Sequence, residues 1–217
     1  MRGRPRALSR LARRRAQAGV TLIELLVAMS MLGVIMGAAY TSVMSFQHQE
    51  VVTTQAFSAE SEAQLIMDEL TKDLRTAVPL SPTSSPFVTT APDQVTFYAN
   101  LGDPNGPTEL DVYLVPQGGG ASIIHEDATY ADAGSAPSWT YTGKPKVRIV
   151  GQYVDDTAAI FTYYDSAGSV LTAPINGRDV ESVGVLLTTR VTRGGPPTTL
   201  QTTIHLRNVD YNPISGS

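Results

Sequence analysis

The run of 25 residues from Val20 to Met44 limits most strongly what this chain can fold into, because Glu24 is its only charged residue. A helix rises about 1.5 Å per residue, so the run is roughly 37 Å long when helical. The hydrocarbon core of a membrane is roughly 30 Å thick, which a helix of this length crosses. The run therefore predicts one transmembrane segment, which we place at residues 20–46.

Charge is divided unevenly along the chain. Seven arginines lie within the first 15 residues, whereas the rest of the chain holds 9 basic and 20 acidic residues, a net charge of −11. By the positive-inside rule, the arginines keep residues 1–19 in the cytoplasm and the part after the apolar run lies outside. An acidic body argues against sequence-independent nucleic-acid binding, which needs clustered Lys and Arg. The absence of cysteine excludes disulfides and thiolate metal sites.

Two common kinds of N-terminal segment fit most of this pattern. The first is a cleavable secretory signal, with small residues near Gly37 and Ala39 at its end. The second is a signal anchor that is never cut. Neither explains Glu24, since a charged residue deep in an apolar segment costs on the order of 2.5 to 3.5 kcal/mol on insertion scales. An intramembrane carboxylate is by default a functional-site hypothesis that needs a partner.

Residues 18–28, AGVTLIELLVA, resemble the class III signal of type IV prepilins and type II secretion pseudopilins. That signal has a basic leader ending in Gly, a Thr-Leu-Ile-Glu type core and an unbroken apolar helix. The resemblance implies that a prepilin peptidase cuts between Gly19 and Val20 on the cytoplasmic side and methylates the new N-terminus. Val20 stands where the family commonly has Phe or Met.

The resemblance also gives Glu24 a role. As the fifth residue of the mature chain, it would pair with the N-terminal ammonium of a neighbouring subunit, which offsets its desolvation and sets the register between subunits. The implied partners are the prepilin peptidase, other pilins or pseudopilins and the inner-membrane assembly platform. Gly33 and Gly37 form a Gly-xxx-Gly spacing that allows close helix packing, or they reflect the general frequency of Gly in membrane helices.

Residues 47–78 continue the helix beyond the membrane. Apolar residues recur there in steps of three or four and form one amphipathic stripe, at Val52, Ala56, Ala59, Ala63, Ile66, Leu70, Leu74 and Ala77. Pro79 and the loop-forming residues after it predict that the helix stops near Val78. No proline interrupts residues 20–78, so no proline kink is expected.

Residues 79–217 change to a period of two and predict an extracytoplasmic β-rich domain. Runs rich in β-branched and aromatic residues predict strands at 94–99, 110–115, 122–125, 146–154, 159–164, 180–190 and 199–206. In the last run, even-numbered residues such as Leu200 and Ile204 would face inward and odd-numbered residues such as Gln201 outward. Residues 165–168 predict a hairpin turn and residues 193–197 a longer one. The expected fold is α+β and pilin-like, with the long helix packed on an antiparallel sheet.

Two long connections interrupt this sheet, at residues 101–108 and 126–143. Loops of this kind are natural sites of partner specificity, and we expect Trp139 to anchor the second loop on the sheet. The helix end at 68–78, the strand at 94–98 and residues 206–208 resemble minor pilins of the PilW type and minor pseudopilins of the GspJ type. Together with the irregular loops, this resemblance favours a minor subunit.

The sequence carries no recognised enzyme motif. His48, His125 and His205 lack triad motifs around them, and Gly118, Gly119 and Gly120 lack the Lys-Ser/Thr ending of a phosphate loop and predict a flexible turn. Asp103, Asn105 and Glu109 could bind calcium, but their spacing is not that of an EF-hand and Asx turns explain them equally well. Asp155 and Asp156 indicate a strand-end turn. We therefore expect no catalytic residue, no metal and no cofactor.

The sequence leaves two functional hypotheses. The first is a structural subunit, a minor pilin or pseudopilin that assembles into a type IV pilus or type II secretion pseudopilus through its N-terminal helix. The second is a signal-anchored extracytoplasmic binding module for a surface, cargo or DNA. A role in DNA binding would require a local basic cluster, formed by Arg190, Arg193 and Arg207.

Overall fold

The computed structural model describes residues 21–135, 138–190 and 196–207, without the side chain of His48. These residues form one helix, α1 (Leu22–Arg75), and eight strands. The strands are β1 (Phe87–Thr90), β2 (Gln94–Ala99), β3 (Thr108–Gly118), β4 (Ala121–Thr129), β5 (Lys146–Asp155), β6 (Phe161–Tyr164), β7 (Ser182–Thr189) and β8 (Thr198–His205). The chain divides into two compact units, Met1–Gln49 and Glu50–Ser217. The predicted α+β class, a long N-terminal helix with an antiparallel sheet, is confirmed.

The sheet of the second unit is antiparallel throughout. Its strand order is β1-β2-β3-β4-β5-β7-β6, and β8 pairs with β7 along its whole length. Strand β5 meets β7 at one residue pair, Val154 with Thr189, and β6 continues along the same edge of β7, starting with Phe161 opposite Val185. The sheet therefore has a β1–β5 part and a β6–β8 part, joined where β5 and β7 meet.

The second half of α1 packs on this sheet through the predicted stripe. From Ala59 onward the stripe residues are buried, namely Ala59, Ala63, Ile66, Leu70, Leu74 and Ala77. Burying a large aliphatic side chain contributes about 1.5 to 3 kcal/mol, so this stripe is a main stabilising contact of the unit. Val52, which the pattern places on the same stripe, is 38% exposed.

Two close contacts define how α1 lies on the sheet. Ile66 packs directly on Gly151 of β5, where an added Cβ would collide with the Ile66 side chain. The buried Thr189 hydroxyl donates to the Ala59 carbonyl at 2.8 Å. A small residue in β5 is thus required for the helix to approach the sheet.

The helix ends at Arg75, three residues before the predicted end. Residues 76–78 leave it because they pair with β2: the Val78 N–H donates to Tyr98 O at 2.8 Å, and the Asn100 N–H to Thr76 O at 2.9 Å. Backbone groups that the helix leaves unpaired thus find partners on the sheet edge.

The predicted strands are all present, with longer β3 and β4 than the sequence indicated and an additional short β1. The predicted loop at 126–143 is wrong over 126–129, which belong to β4 and pair with β3 and β5. The alternation predicted for β8 is confirmed, with Ile204 buried and Gln201 exposed. Residues 165–168 form a tight turn that leads to an isolated bridge between Tyr164 and Val170 rather than directly into β7. The longer turn at 193–197 lies partly outside the described residues.

Candidate functional site

The described chain begins inside the candidate processing signal. Gly19 and Val20, the residues on either side of the predicted cut, lie outside the described residues, and Thr21 directly precedes α1. The Glu24 N–H donates to Thr21 Oγ1 at 3.3 Å, and the Leu25 N–H donates to Thr21 O at 3.1 Å. Thr21 therefore occupies the N-cap position and Glu24 the third position of the helix.

This geometry gives Glu24 a local role that the sequence analysis did not consider. Thr-x-x-Glu is the capping-box pattern, in which the threonine oxygen receives the backbone N–H of the third helical residue and the glutamate can return a bond to the cap. A negative charge in the first turn also interacts favourably with the helix dipole. Glu24 is exposed and in the first turn of α1. Its carboxylate is therefore accessible to a second chain and lies at the positive end of its own helix dipole.

The helix of the first unit presents an apolar surface on all sides. Every described residue from 21 to 47 is exposed. The large apolar side chains among them include Leu22 at 82%, Val34 at 75% and Phe46 at 71% exposure. Within the described part of the chain, α1 is the one helix long and apolar enough to cross a membrane. A surface of this kind requires lipid or other apolar helices around it.

Gly33 and Gly37 lie one turn apart on this helix. A Cβ added at either position would meet no atom within 4 Å. A Gly-xxx-Gly pair leaves a notch at which another helix backbone can approach, and the use of this pair in packing stays a prediction.

The residues considered as catalytic or calcium-binding candidates lie in ordinary strand and turn surroundings. His125 lies 5.8 Å from the Tyr113 ring, and His205 is exposed on β8. Asp103 Oδ1 accepts the Asn105 N–H at 2.8 Å, which is the Asx turn weighed against calcium. Within the described residues, no group of three or more His, Asp or Glu side chains is arranged to hold a metal ion.

Asp155 and Asp156 lie at the end of β5, as predicted. Asp155 Oδ1 accepts the Thr157 hydroxyl at 2.6 Å, and Asp156 Oδ2 accepts the Ser122 hydroxyl at 3.0 Å. The adjacent Gly118, Gly119 and Gly120 all have positive φ and form the turn from β3 to β4. The Asp155 bond is that of a local turn, whereas the Asp156 bond joins the end of β5 to β4, so the two carboxylates bind different partners.

The two long loops are joined by aromatic side chains. Trp139 packs against Gly106 of the first loop, where a Cβ would collide with its ring. Tyr141 stacks on Tyr98 of β2, with ring centres 5.4 Å apart, and donates to the Pro107 carbonyl at 3.1 Å. Tyr141 therefore anchors the second loop on the sheet, whereas Trp139, expected to do so, contacts the neighbouring loop.

The two described residues of the proposed nucleic-acid cluster lie at opposite ends of the β7–β8 pair. Arg190 follows Thr189, which pairs with Thr198 at the start of β8, whereas Arg207 comes shortly after His205, which pairs with Ser182 at the start of β7. Arg190 Nη2 lies 3.8 Å from Asp155 Oδ2, and Arg207 is exposed after the end of β8. Arg193 lies outside the described residues.

A partly buried charge cluster between α1 and the sheet was not anticipated from the sequence. Arg148 of β5 contacts three carboxylates: Nη1 lies 2.6 Å from Glu69, and Nη2 lies 2.9 Å from Asp73 and 2.7 Å from Glu126 of β4. The Asp73 and Glu126 side chains are each 4% exposed. This cluster, Glu69-Asp73-Glu126-Arg148, links the helix to two strands of the sheet.

Three carboxylates around one guanidinium leave excess negative charge in a desolvated place. Burial, and then the negative charge of Glu126, raise the pKa of Asp73 to about 7. The hydrogen bond from Arg148 lowers the pKa of the more exposed Glu69. The arginine thus favours the ionised form of Glu69, while Asp73 beside it loses its proton only as the pH approaches neutrality.

A comparison with known proteins bears on the N-terminal segment. Residues 14–40 match the family model of the prokaryotic N-terminal methylation motif. A search of curated proteins found no match to the chain. The matched segment contains the expected cleavage site and Glu24, and it runs through the exposed apolar helix. The chain therefore carries a prepilin-like N-terminal signal on a helix able to anchor it in a membrane.

Proposed function

We propose that the chain is a minor pilin or pseudopilin. In this proposal the prepilin peptidase cuts after Gly19 and methylates Val20, and the mature protein lies in the cytoplasmic membrane with its β-domain outside. It then joins a type IV pilus or a type II secretion pseudopilus by way of the inner-membrane assembly platform. The subunit acts structurally and not as an enzyme.

The observation that carries this proposal is the combination of the methylation motif with an apolar helix exposed on all sides. The motif match covers residues 14–40, and the described residues 21–47 that follow the cut are exposed throughout. A signal that is cut off has no need of a notch such as that at Gly33 and Gly37, whereas a helix that packs among others does. The irregular, aromatically joined loops support a minor rather than a repeating subunit.

Intact mass and N-terminal sequence of the protein from its native membrane test the processing step. The expected product begins at N-methylated Val20. A product that begins near Tyr40, or that retains Met1, would overturn the filament proposal and favour a secreted or anchored binding module.

Substitution of Glu24 separates its two roles. Glu24→Gln keeps a side chain that suits the third position of a capping box and removes the charge, whereas Glu24→Ala removes both. If Glu24 pairs with a neighbour's N-terminus, both variants are cut normally, and both enter filaments more than about tenfold less often, because breaking a desolvated charge pair costs several kcal/mol. Glu50→Gln, a matched change at an exposed position of α1, leaves incorporation unchanged.

The result with Gln decides between the two roles. Normal incorporation of Glu24→Gln, together with loss in Glu24→Ala, would assign the residue to helix capping alone. Filament incorporation is measured by comparing the variant in sheared filaments with the variant left in membranes.

A further inference from the structure

The end of β5 holds an exposed aromatic residue in a backbone conformation that disfavours it. Tyr153 has a φ of 60°, in the left-handed region that suits Gly or Asn. Strain of this kind persists only where the surroundings impose it, and it concentrates at binding and catalytic sites.

A β-bulge produces this conformation. Val154 pairs with Ser122 and Gly151 with Ile124, so β5 has one more residue than β4 between these two pairs. The bulge breaks the alternation of the strand and turns Tyr153 outward. Its side chain is 45% exposed, whereas the next residue, Val154, is fully buried. Bulges commonly re-aim a side chain next to a functional site.

Tyr153 lines a cavity of about 390 Å³ between the turn from β3 to β4 and the ends of β5 and β7. The other lining residues are Gly118, Gly119, Gly120, Ala121, Asp155 and Arg190. The three glycines leave backbone where side chains would fill the space, since a Cβ at any of them would meet no atom within 4 Å. The volume falls within the range of small-molecule binding sites, and the cavity is large enough to admit a sugar-sized ring.

The polar groups of the cavity have unused hydrogen-bonding capacity. Arg190 Nη2 and Asp155 Oδ2 are 3.8 Å apart, too far for a hydrogen bond. Asp155 uses Oδ1 for Thr157, and these bonds lower the pKa of Asp155, which leaves an ionised acceptor facing a guanidinium. The Arg190 N–H holds the Tyr153 carbonyl at 2.8 Å and so fixes the strained backbone.

We propose that this cavity, formed by Tyr153, Asp155, Arg190 and the 118–120 turn, binds a neutral saccharide. A pyranose ring has an apolar C–H face that stacks on an exposed aromatic ring, and hydroxyl groups at its rim that both donate and accept. The carboxylate of Asp155 accepts from such hydroxyls and the Arg190 guanidinium donates to them. One positive and one negative group give the cavity no net charge that would select an ionic ligand.

Titration calorimetry of the full chain tests this inference. The protein is held in octaethylene glycol monododecyl ether, a detergent without sugar, and titrated with chitotetraose and with maltotetraose. Wild type and Tyr153→Phe bind at least one of them with affinities within about threefold of each other. Tyr153→Asn binds about tenfold more weakly or not at all, since it lacks the stacking ring.

Thermal unfolding of the same variants separates ligand binding from a structural role. Asn tolerates positive φ, so Tyr153→Asn does not lower the unfolding temperature although binding is lost. Tyr130→Asn, a matched change at a tyrosine that is 41% exposed and outside the cavity, leaves binding unchanged.

Two results would overturn the inference. One is that neither tetrasaccharide binds to wild type. The other is that inorganic phosphate binds in their place, with loss in Arg190→Gln and not in Tyr153→Asn, which would assign the cavity to an anion. The inference does not depend on filament assembly, and filament formation is not part of the test.

Discussion

Asp73→Asn tests whether the partly buried charge cluster contains one carboxylate too many. Asp73 faces Glu69 of its own helix, Glu126 of β4 and Arg148 of β5. Asn has nearly the same shape, accepts a hydrogen bond from the arginine as the carboxylate does and donates to Glu126. The substitution therefore removes a charge and leaves the contacts in place.

The expected gain in unfolding free energy of Asp73→Asn follows from the raised pKa of Asp73. An acid whose pKa rises from 3.8 to about 7 on folding holds its proton more tightly when folded. Its contribution to stability is complete below pH 3.8 and is lost as the pH rises to about 7. One pKa unit corresponds to about 1.4 kcal/mol, so the full loss is on the order of 4 kcal/mol and smaller where the neighbouring acid shares the proton. Asp73→Asn avoids this loss.

Urea unfolding of the full chain in mild detergent, followed by circular dichroism at pH 5, 7 and 8.5, measures the effect. The variant is expected to exceed wild type by on the order of 1 kcal/mol at pH 5, where about a third of the wild-type loss has already occurred, and by about 2 to 4 kcal/mol at pH 8.5. Asp68→Asn, the same change at an exposed position of α1, leaves the pH profile as in wild type. A variant less stable than wild type at pH 8.5 would refute the reasoning, since it would mean that the Asp73 charge stabilises the fold.

Two further changes probe the same helix contact. Glu69→Gln is expected to have the opposite effect on stability, because the pKa of Glu69 is lowered on folding. In the same urea assay, wild type is more stable than the variant above the ordinary pKa of Glu. It loses that advantage as the pH falls through the lowered pKa. Gly151→Ala is expected to cost about 1 to 3 kcal/mol at all pH values, because its Cβ would collide with Ile66. An Ala variant as stable as wild type would show that the helix can shift away without loss.

The helix stripe and the alternation of β8 could be predicted because each is fixed by one buried face. Ala59 to Ala77 recur at helical spacing and are buried, and Ile204 and Leu206 lie on one side of their strand. In both cases the side chains are apolar where the chain meets the core. The periodicity of apolar residues in the sequence is then enough to assign these side chains to the buried face.

The end of β4 could not be predicted in this way. Glu126 looks like a loop residue by type, yet it is buried in a strand because Arg148, 22 residues later, neutralises it. A charge buried by a distant partner carries no local signal. The bulges of β5 are different: Gly151 inside an apolar run is a recognised sign of a bulge or a close backbone approach, and it could have indicated both the helix contact and the break in alternation.

Asp73 and Tyr153 are two positions at which this fold gives up stability, and the structure explains them differently. The cost of burying Asp73 is offset within the chain by Arg148, which lies 2.9 Å from it and binds β4 and β5 to the helix. For Tyr153, the bulge imposes the strain and the Arg190 N–H binds the Tyr153 carbonyl, but no described contact uses the exposed ring. Gly or Asn would fit the same bulge without strain. A ligand that stacks on the ring would explain why an aromatic residue occupies this position. This is the physical basis for assigning a ligand to the cavity that Tyr153 lines.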